Sequence, residues 1–431
     1  MLDQIATLMP TELIGRVAGT VGIAAAVADF PAPLGAMVEI EYSSTTPLRA
    51  EVIGFRGEET LVAPLGDMTG IRRGHRVRLV RTTDWLRVGP EMLGRVLDAF
   101  GRPIDGGPPL VLSRRTSVRR APPRSTDRPR IDQTLATGVR AIDGLLTCGR
   151  GQRLGIFAGA GVGKSTLLGM MARYTAADVN VVALVGERGR EVREFLDRDL
   201  GPEGLARSVV VVSTSDEPAL VRLRAALAAT AIAESFRDYG ADVLLMMDSL
   251  TRVAQAQREI GLAAGEPPTT RGFPPSVFAT LPKLLERAGR SPDGSITGLY
   301  TVLVEGDDAQ EPVSDTVRGL LDGHIRLSRA LASRGQFPAI DLLESISRLM
   351  PALTSPEHRA AAQSIRELME NYRRHEDLIS IGAYRPGSQP KVDRAIALRD
   401  RIDAYLAQPV DSGETMDAAQ RKLLDLAACT A

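Results

Sequence analysis

Cysteine, aromatic residues and net charge are all scarce in this chain, and each scarcity removes a class of function. Two cysteines occur in 431 residues, Cys148 and Cys429. They form no metal-ligating or redox spacing and read as reduced thiols of a cytoplasmic protein. Lys plus Arg and Asp plus Glu each total 53, so the formal charge is zero. That balance argues against a chain whose main task is gripping nucleic-acid phosphates, while leaving room for a local basic patch. No apolar run reaches the roughly 20 residues that span a bilayer, and the first residues lack the basic-then-apolar order of a secretory signal. What is present, 44% hydrophobic and 25% charged residues, suits a globular chain of about two to four domains with a large core.

Along the chain the hydrophobic period changes three times. Leu2, Ile5, Leu8 and Met9 recur at helical spacing until Pro10, which predicts a short amphipathic helix over 1–12, read as partner-binding, with docking on a membrane surface or a frayed terminus as the alternatives. From 13 to 85 the period is two, as in Val38-Glu39-Ile40-Glu41-Tyr42, and Gly-rich turns separate short strands; this predicts a small β-barrel. Residues 113–130 carry seven arginines and three prolines but no aromatic residue for base stacking, so they read as an extended connection lying on its own domain. Apolar strands then alternate with helices: Leu154–Ala158, Val179–Val185, Ser208–Ser213, Val243–Met247, Gly298–Val304 and His324–Leu327. That alternation predicts a parallel sheet covered on both faces, an α/β core over 86–345. Over 346–431 only helical signals remain. Ser355-Pro356 opens a helix with Ile365, Leu368, Met369 and Tyr372 on one face; a second presents Val392, Ala395, Ile396, Ile402 and Leu406, and a third Leu423, Leu424 and Leu426.

The chemistry centres on Gly159-Ala160-Gly161-Val162-Gly163-Lys164-Ser165-Thr166, which follows one apolar strand and opens a helix. Glycines let backbone amides curl around phosphate oxygens at the positive end of the helix dipole. Lys164 then reaches the β- and γ-phosphates of ATP, and the Ser165 hydroxyl ligates Mg²⁺. A dinucleotide-binding loop would need glycine where Lys164 stands. Asp248 closes the apolar run Val243–Met247, a carboxylate placed to hold Mg²⁺ through water. Glu187 ends another run, in Val185-Gly186-Glu187-Arg188; it is placed to polarise the attacking water, with Arg188 stabilising charge on the phosphoryl oxygens.

These segments, with Thr137 to Leu146, Gly186 to Phe195, Asp248 to Arg252, Gly261 to Phe278 and Val304 to Asp308, resemble the ATPases of type III protein export, relatives of the catalytic subunit of rotary ATP synthases. The resemblance covers nearly the whole chain from about Gly15. It implies a RecA-like P-loop core between an N-terminal β-barrel and a C-terminal helical domain. It also implies two further site residues: Arg348, in Ser345-Ile346-Ser347-Arg348, as an arginine finger acting in the neighbouring subunit's site, and Phe337 as the aromatic surface against adenine. A finger acting in trans implies a ring, expected as a homohexamer. Its implied partners are stator and central stalk proteins, export substrates and their chaperones, and a membrane export gate touched peripherally at the cytoplasmic face of the inner membrane.

Within that family, Ala158 to Gly163, Leu168 to Arg173 and Leu378 to Tyr384 look more like the flagellar branch than the injectisome branch. A rotary ATP synthase subunit is disfavoured because its acidic rotor-contact motif is not evident and Ser165 stands in place of Thr. An RNA translocase is disfavoured by the neutral charge, and no nucleic-acid partner is expected. A non-catalytic structural ring subunit is disfavoured by Glu187 beside Lys164 and Asp248.

Overall fold

The computed structural model describes residues 12–42, 46–304 and 311–429; the helix expected over 1–12 lies outside them but for its last residue. Six antiparallel strands, Ile14–Val21, Ala24–Ala28, Met37–Glu41, Leu48–Arg56, Glu59–Pro64 and Arg76–Arg81, close a barrel in the order first, second, fifth, fourth, third, sixth. Period-two alternation makes this possible: Val38 and Ile40 enter the barrel core while Glu39 turns outward to Arg78, at 2.6 Å. Closure leaves no strand edge unpaired.

The central sheet runs, from one edge, Val96–Leu97, Ser208–Thr214, Val179–Glu187, Asp242–Asp248, Ser295–Leu303, Arg153–Ala158, Gly323–Leu327 and Ile340–Ser347. All neighbours are parallel except the last pair, which is antiparallel. Parallel strands deliver their C-terminal ends to one edge, so Glu187 and Asp248 finish on adjacent strands and Ala158 at the same edge with the strand Ser295–Leu303 between. Helices Ala219–Arg237 and Leu250–Ala263 bury their apolar faces on one side of the sheet, and helix Lys164–Tyr174 covers the other.

Several elements depart from the sequence expectation. The strand Ile340–Ser347 was not anticipated; its buried and exposed residues alternate, as on a sheet edge. Part of the arginine-rich connection is itself a strand, Arg114–Ser117 pairing with Trp85–Val88. The rest lies on its own domain, with Arg120 bonded to Asp238 at 2.6 Å and Arg128 to the Ala288 carbonyl at 3.0 Å. Three C-terminal helices follow, Pro356–Ser380, Pro390–Leu406 and Met416–Ala428. The Ser355 hydroxyl caps the first by accepting from the His358 amide at 3.2 Å. Ile396 and Leu424 are exposed rather than buried, because each sits one residue, about 100°, around the helix from a core position. The helices dock on Arg140–Leu145: His358 Nε2 donates to the Gly144 carbonyl at 2.6 Å and Gln408 Nε2 to the Gly138 carbonyl at 2.8 Å. No helix among the described residues is long and apolar enough to cross a membrane.

Candidate functional site

The strand Arg153–Ala158 turns sharply into the helix Lys164–Tyr174, and the loop between them needs left-handed backbone at Gly161, φ 76°, and Gly163, φ 86°. Only glycine adopts that conformation without strain. The first amides of this helix have no intrahelical acceptor and face outward from its N-terminal end. Gly159, Ala160, Gly161, Gly163, Lys164, Ser165 and Thr166 line a cavity of about 500 Å³. Val162 instead turns its side chain into the core, 2% exposed, and offers the loop only its backbone.

Two other strands of the sheet, adjacent to one another, end in carboxylates beside Lys164. Lys164 Nζ donates to Asp248 Oδ1 at 2.6 Å and lies 3.6 Å from Glu187 Oε1. Thr301, one strand over, donates its hydroxyl to the same Asp248 oxygen at 2.6 Å. Glu187 Oε1 is buried and has no hydrogen-bond partner. Burial, and then the charge of Asp248, push the Glu187 carboxyl up to about 7. Burial works against the Lys164 ammonium, but Asp248 and Glu187 outweigh it and its pKa is raised. An open helix end, a carboxylate oxygen without a hydrogen-bond donor and a lysine ion-paired with two acids therefore meet at one cavity. This donor and acceptor set fits a nucleotide's phosphates with a divalent cation.

Three stretches of the chain match known families: residues 14–80 the β-barrel domain of the ATP synthase alpha/beta family, residues 138–347 its nucleotide-binding domain, and residues 354–425 the T3SS EscN ATPase C-terminal domain. The flagellum-specific ATP synthase of Bacillus subtilis is 52% identical over 96% of this chain and 94% of its own length. The chain belongs to the type III export branch of the ATP synthase alpha/beta family. The type 3 secretion system ATPase of Xanthomonas euvesicatoria is 51% identical over 95% of this chain and 92% of its own. The assembled ATPase EscN of the enteropathogenic E. coli type III secretion system superposes with a TM-score of 0.89 at 45% identity, covering 96% of this chain and all of that one. A further structure shows EscN in complex with its central stalk EscO, with a TM-score of 0.88.

In this family member the remaining predicted residues occupy three places. Arg188 stands on the cavity rim, its side chain 78% exposed and 3.4 Å from Glu191. The Phe337 ring packs beside Gly163, close enough that a Cβ there would meet it at 3.4 Å, and remains half-exposed. Arg348 is exposed at the end of the strand Ile340–Ser347 and does not line this protomer's phosphate cavity. Sequence reasoning passed over Thr301 and Arg252, which also touch the site. Arg252 lines the cavity and its side chain packs on Gly186. The signal for Thr301 was a hydroxyl near the C-terminal end of a buried strand, and for Arg252 its place four residues after Asp248.

Proposed function

We propose that this chain is the catalytic subunit of a ring-forming, Mg-dependent ATPase that serves flagellar type III protein export. The observation that carries the reading is Lys164 held between Asp248 and Glu187, at 2.6 and 3.6 Å, beneath a glycine-shaped phosphate cradle. Bound MgATP would supply the phosphoryl group and a divalent cation to polarise it. The amides of Gly159 to Gly163 bind phosphate oxygens, and Lys164 leaves its two acids to join them. Ser165 and Asp248 would hold Mg²⁺, Thr166 supports the loop, and Glu187 would orient the attacking water. Phe337 offers its ring to adenine. Arg188 acts from the rim of its own cavity, whereas Arg348 acts on the neighbouring subunit's site, since it stands apart from its own.

The working domain division is a barrel over 13–85, a catalytic domain over 86–345 and a helical domain over 346–431. A shared site calls for a closed ring, which we read as a homohexamer, with a central stalk and stator proteins as partners, chaperones and export substrates as clients, and peripheral attachment at the membrane export gate. The flagellar reading leans on the branch-like segments around Gly161, Gly169 and Ile381 and on the 52% identity to the B. subtilis relative. The near-equal identity to the Xanthomonas relative makes an injectisome ATPase the second reading.

The test is Mg-ATPase activity of wild type, Glu187→Ala, Arg348→Ala and an equal mixture of the two variants. Each variant alone is expected to be inactive. Random mixing restores Glu187 and Arg348 together at about a quarter of the interfaces, so the mixture regains activity. A mixture as inactive as its components, or wild-type turnover in Arg348→Ala alone, refutes the shared site. Restored swimming of a flagellar-ATPase deletion strain expressing this chain supports the flagellar assignment. Restored injectisome secretion without swimming favours the second reading.

A further inference from the structure

A second cavity, of about 400 Å³, lies where the barrel meets the catalytic domain, and five arginines line it: Arg49, Arg81, Arg87, Arg102 and Arg224. Among the described residues no aspartate or glutamate joins that lining. The five come from distant parts of the chain. Arg49 and Arg81 lie on barrel strands, Arg87 on the Trp85–Val88 ribbon, Arg102 on the loop after Val96–Leu97, and Arg224 on the helix Ala219–Arg237.

Acidic partners for this cluster are few and shared. Asp84 serves both Arg224 and Arg81, the latter at 3.0 Å. Glu51 is bonded to Arg119, and Glu39 takes Arg78 at 2.6 Å, leaving Arg49 3.9 Å away. Arg224 is 4% exposed, yet its Nε, like the Nε of Arg81, has no hydrogen-bond partner. Burial, and then the like charge of Arg81, lower the Arg224 guanidinium to about 10.

Two aromatic rings keep these side chains in place. Arg81 and Arg115 lie over Trp85, at 4.9 and 4.0 Å, and Arg224 and Arg102 over Phe100, at 4.9 and 5.8 Å. Holding like charges around one void, with buried donors lacking hydrogen bonds, costs free energy that Asp84 and the rings offset in part and an anion in the void would offset further. Guanidinium forks match the spacing of phosphate oxygens, and the cavity has small-ligand dimensions.

We propose that this cavity binds a small phosphate-bearing anion of at least two charges, separately from the nucleotide cradle, and so joins the barrel to the catalytic domain. The probe is inorganic pyrophosphate, titrated calorimetrically into the full chain with Mg-ADP saturating the P-loop. One pyrophosphate per chain is expected. Arg49→Ala combined with Arg102→Ala, both exposed and so safe for folding, is expected to weaken it at least ten-fold, while Lys164→Ala retains it. Displacement of pyrophosphate by AMP identifies a nucleotide as the source; no displacement identifies free polyphosphate. Absence of binding, an unchanged affinity in the double variant, or loss in Lys164→Ala overturns the proposal. So does a double variant that leaves pyrophosphate binding intact but lowers ring assembly, because the arginines would then face a carboxylate of a neighbouring copy.

Discussion

Gly169 lies in the buried face of the P-loop helix, where Gly→Ala is ordinarily stabilising by about 1 kcal/mol of helix propensity. Here the opposite is expected. A Cβ at Gly169 would fall 2.7 Å from the backbone carbonyl carbon of Asp199 and 2.8 Å from its Cβ. Ordinary carbon contact starts near 3.4 Å, so the two segments must part by about 0.7 Å, and overpacking of this kind costs about 1–3 kcal/mol. The obstacle is backbone, which cannot rotate aside, so the upper part of that range applies and the net loss is about 2 kcal/mol. Asp199 belongs to the helical run continuing from Glu187-Arg188, and Glu194, Arg198 and Asp199 share the phosphate cavity with the P-loop. Because a 1 Å misplacement can cost about 10²-fold in rate, a shift of this size should lower kcat about ten-fold or more. Urea denaturation and Mg-ATPase turnover of Gly169→Ala read the two effects together. A raised denaturation midpoint with wild-type turnover would refute the argument, since it would mean that the segments separate freely.

The other predictions test the core, the carboxylate pair of the site and the loop after the edge strand Val96–Leu97. Arg287, fully buried, forks to Glu234 at 2.9 and 2.7 Å and donates to the Val118 carbonyl at 2.9 Å. Arg287→Leu should cost about 3–5 kcal/mol by stranding Glu234, while adding Glu234→Leu recovers most of it; a double variant no more stable than the single would contradict this. Thr301→Val removes one donor to Asp248 at nearly constant shape and should destabilise by about 1.5 kcal/mol and lower kcat; unaltered Mg-ATPase would exclude a positioning role. The Arg95 guanidinium, with the Val96 and Gly107 amides, holds the Asp105 carboxyl well below the usual carboxylate range. Its stabilisation is therefore full above the unfolded value of about 3.9 and is lost as pH falls towards the lower folded value. Asp105→Asn should lower the urea midpoint at pH 7, with the gap from wild type closing below about pH 4; a gap that persists at low pH would point to another cause.

How much of this was legible in the chain follows from the range of each signal. The phosphate loop is local: its glycines, lysine and flanking strand sit within a dozen residues. The buried parallel strands are legible too, because Val243–Met247 and Val179–Val185 carry their burial in composition. Their starts are less so. Ser295 and Thr297 open a buried strand although both are polar, because Asp242 accepts from the Ser295 hydroxyl at 2.6 Å and Thr297 accepts from the Gly151 amide at 2.8 Å. Partners supplied by another strand or a distant turn leave no trace in the local pattern. The edge strand Ile340–Ser347 was hidden for a related reason: one of its faces is wet, and Asp341 and Glu344 read as loop. The five arginines around the second cavity are separated by up to 175 residues, and only the packing of the closed barrel against the catalytic domain brings them together.

The resting site shows why these residue types occur together. Asp248 and Glu187 are both largely buried and face one another, and two such carboxylates left alone would repel and take up a proton. Lys164 opposes this by serving both, although burial and the charge of Asp248 still push the Glu187 carboxyl up to about 7. The set still carries more acid than base, so it has no surplus positive charge of its own for a polyphosphate, and phosphates drawing Lys164 away would leave both carboxylates without a cation. Loss of the lysine's charge and loss of its phosphate contact are therefore a single lesion rather than two. Arg188 and Arg252 stand at the rim and wall of the same cavity, and Arg348 stands outside it. If the reaction needs positive charge delivered from the open side, a neighbouring subunit can bring it without disturbing this internal balance, which is a physical reason for a shared site that does not depend on family resemblance.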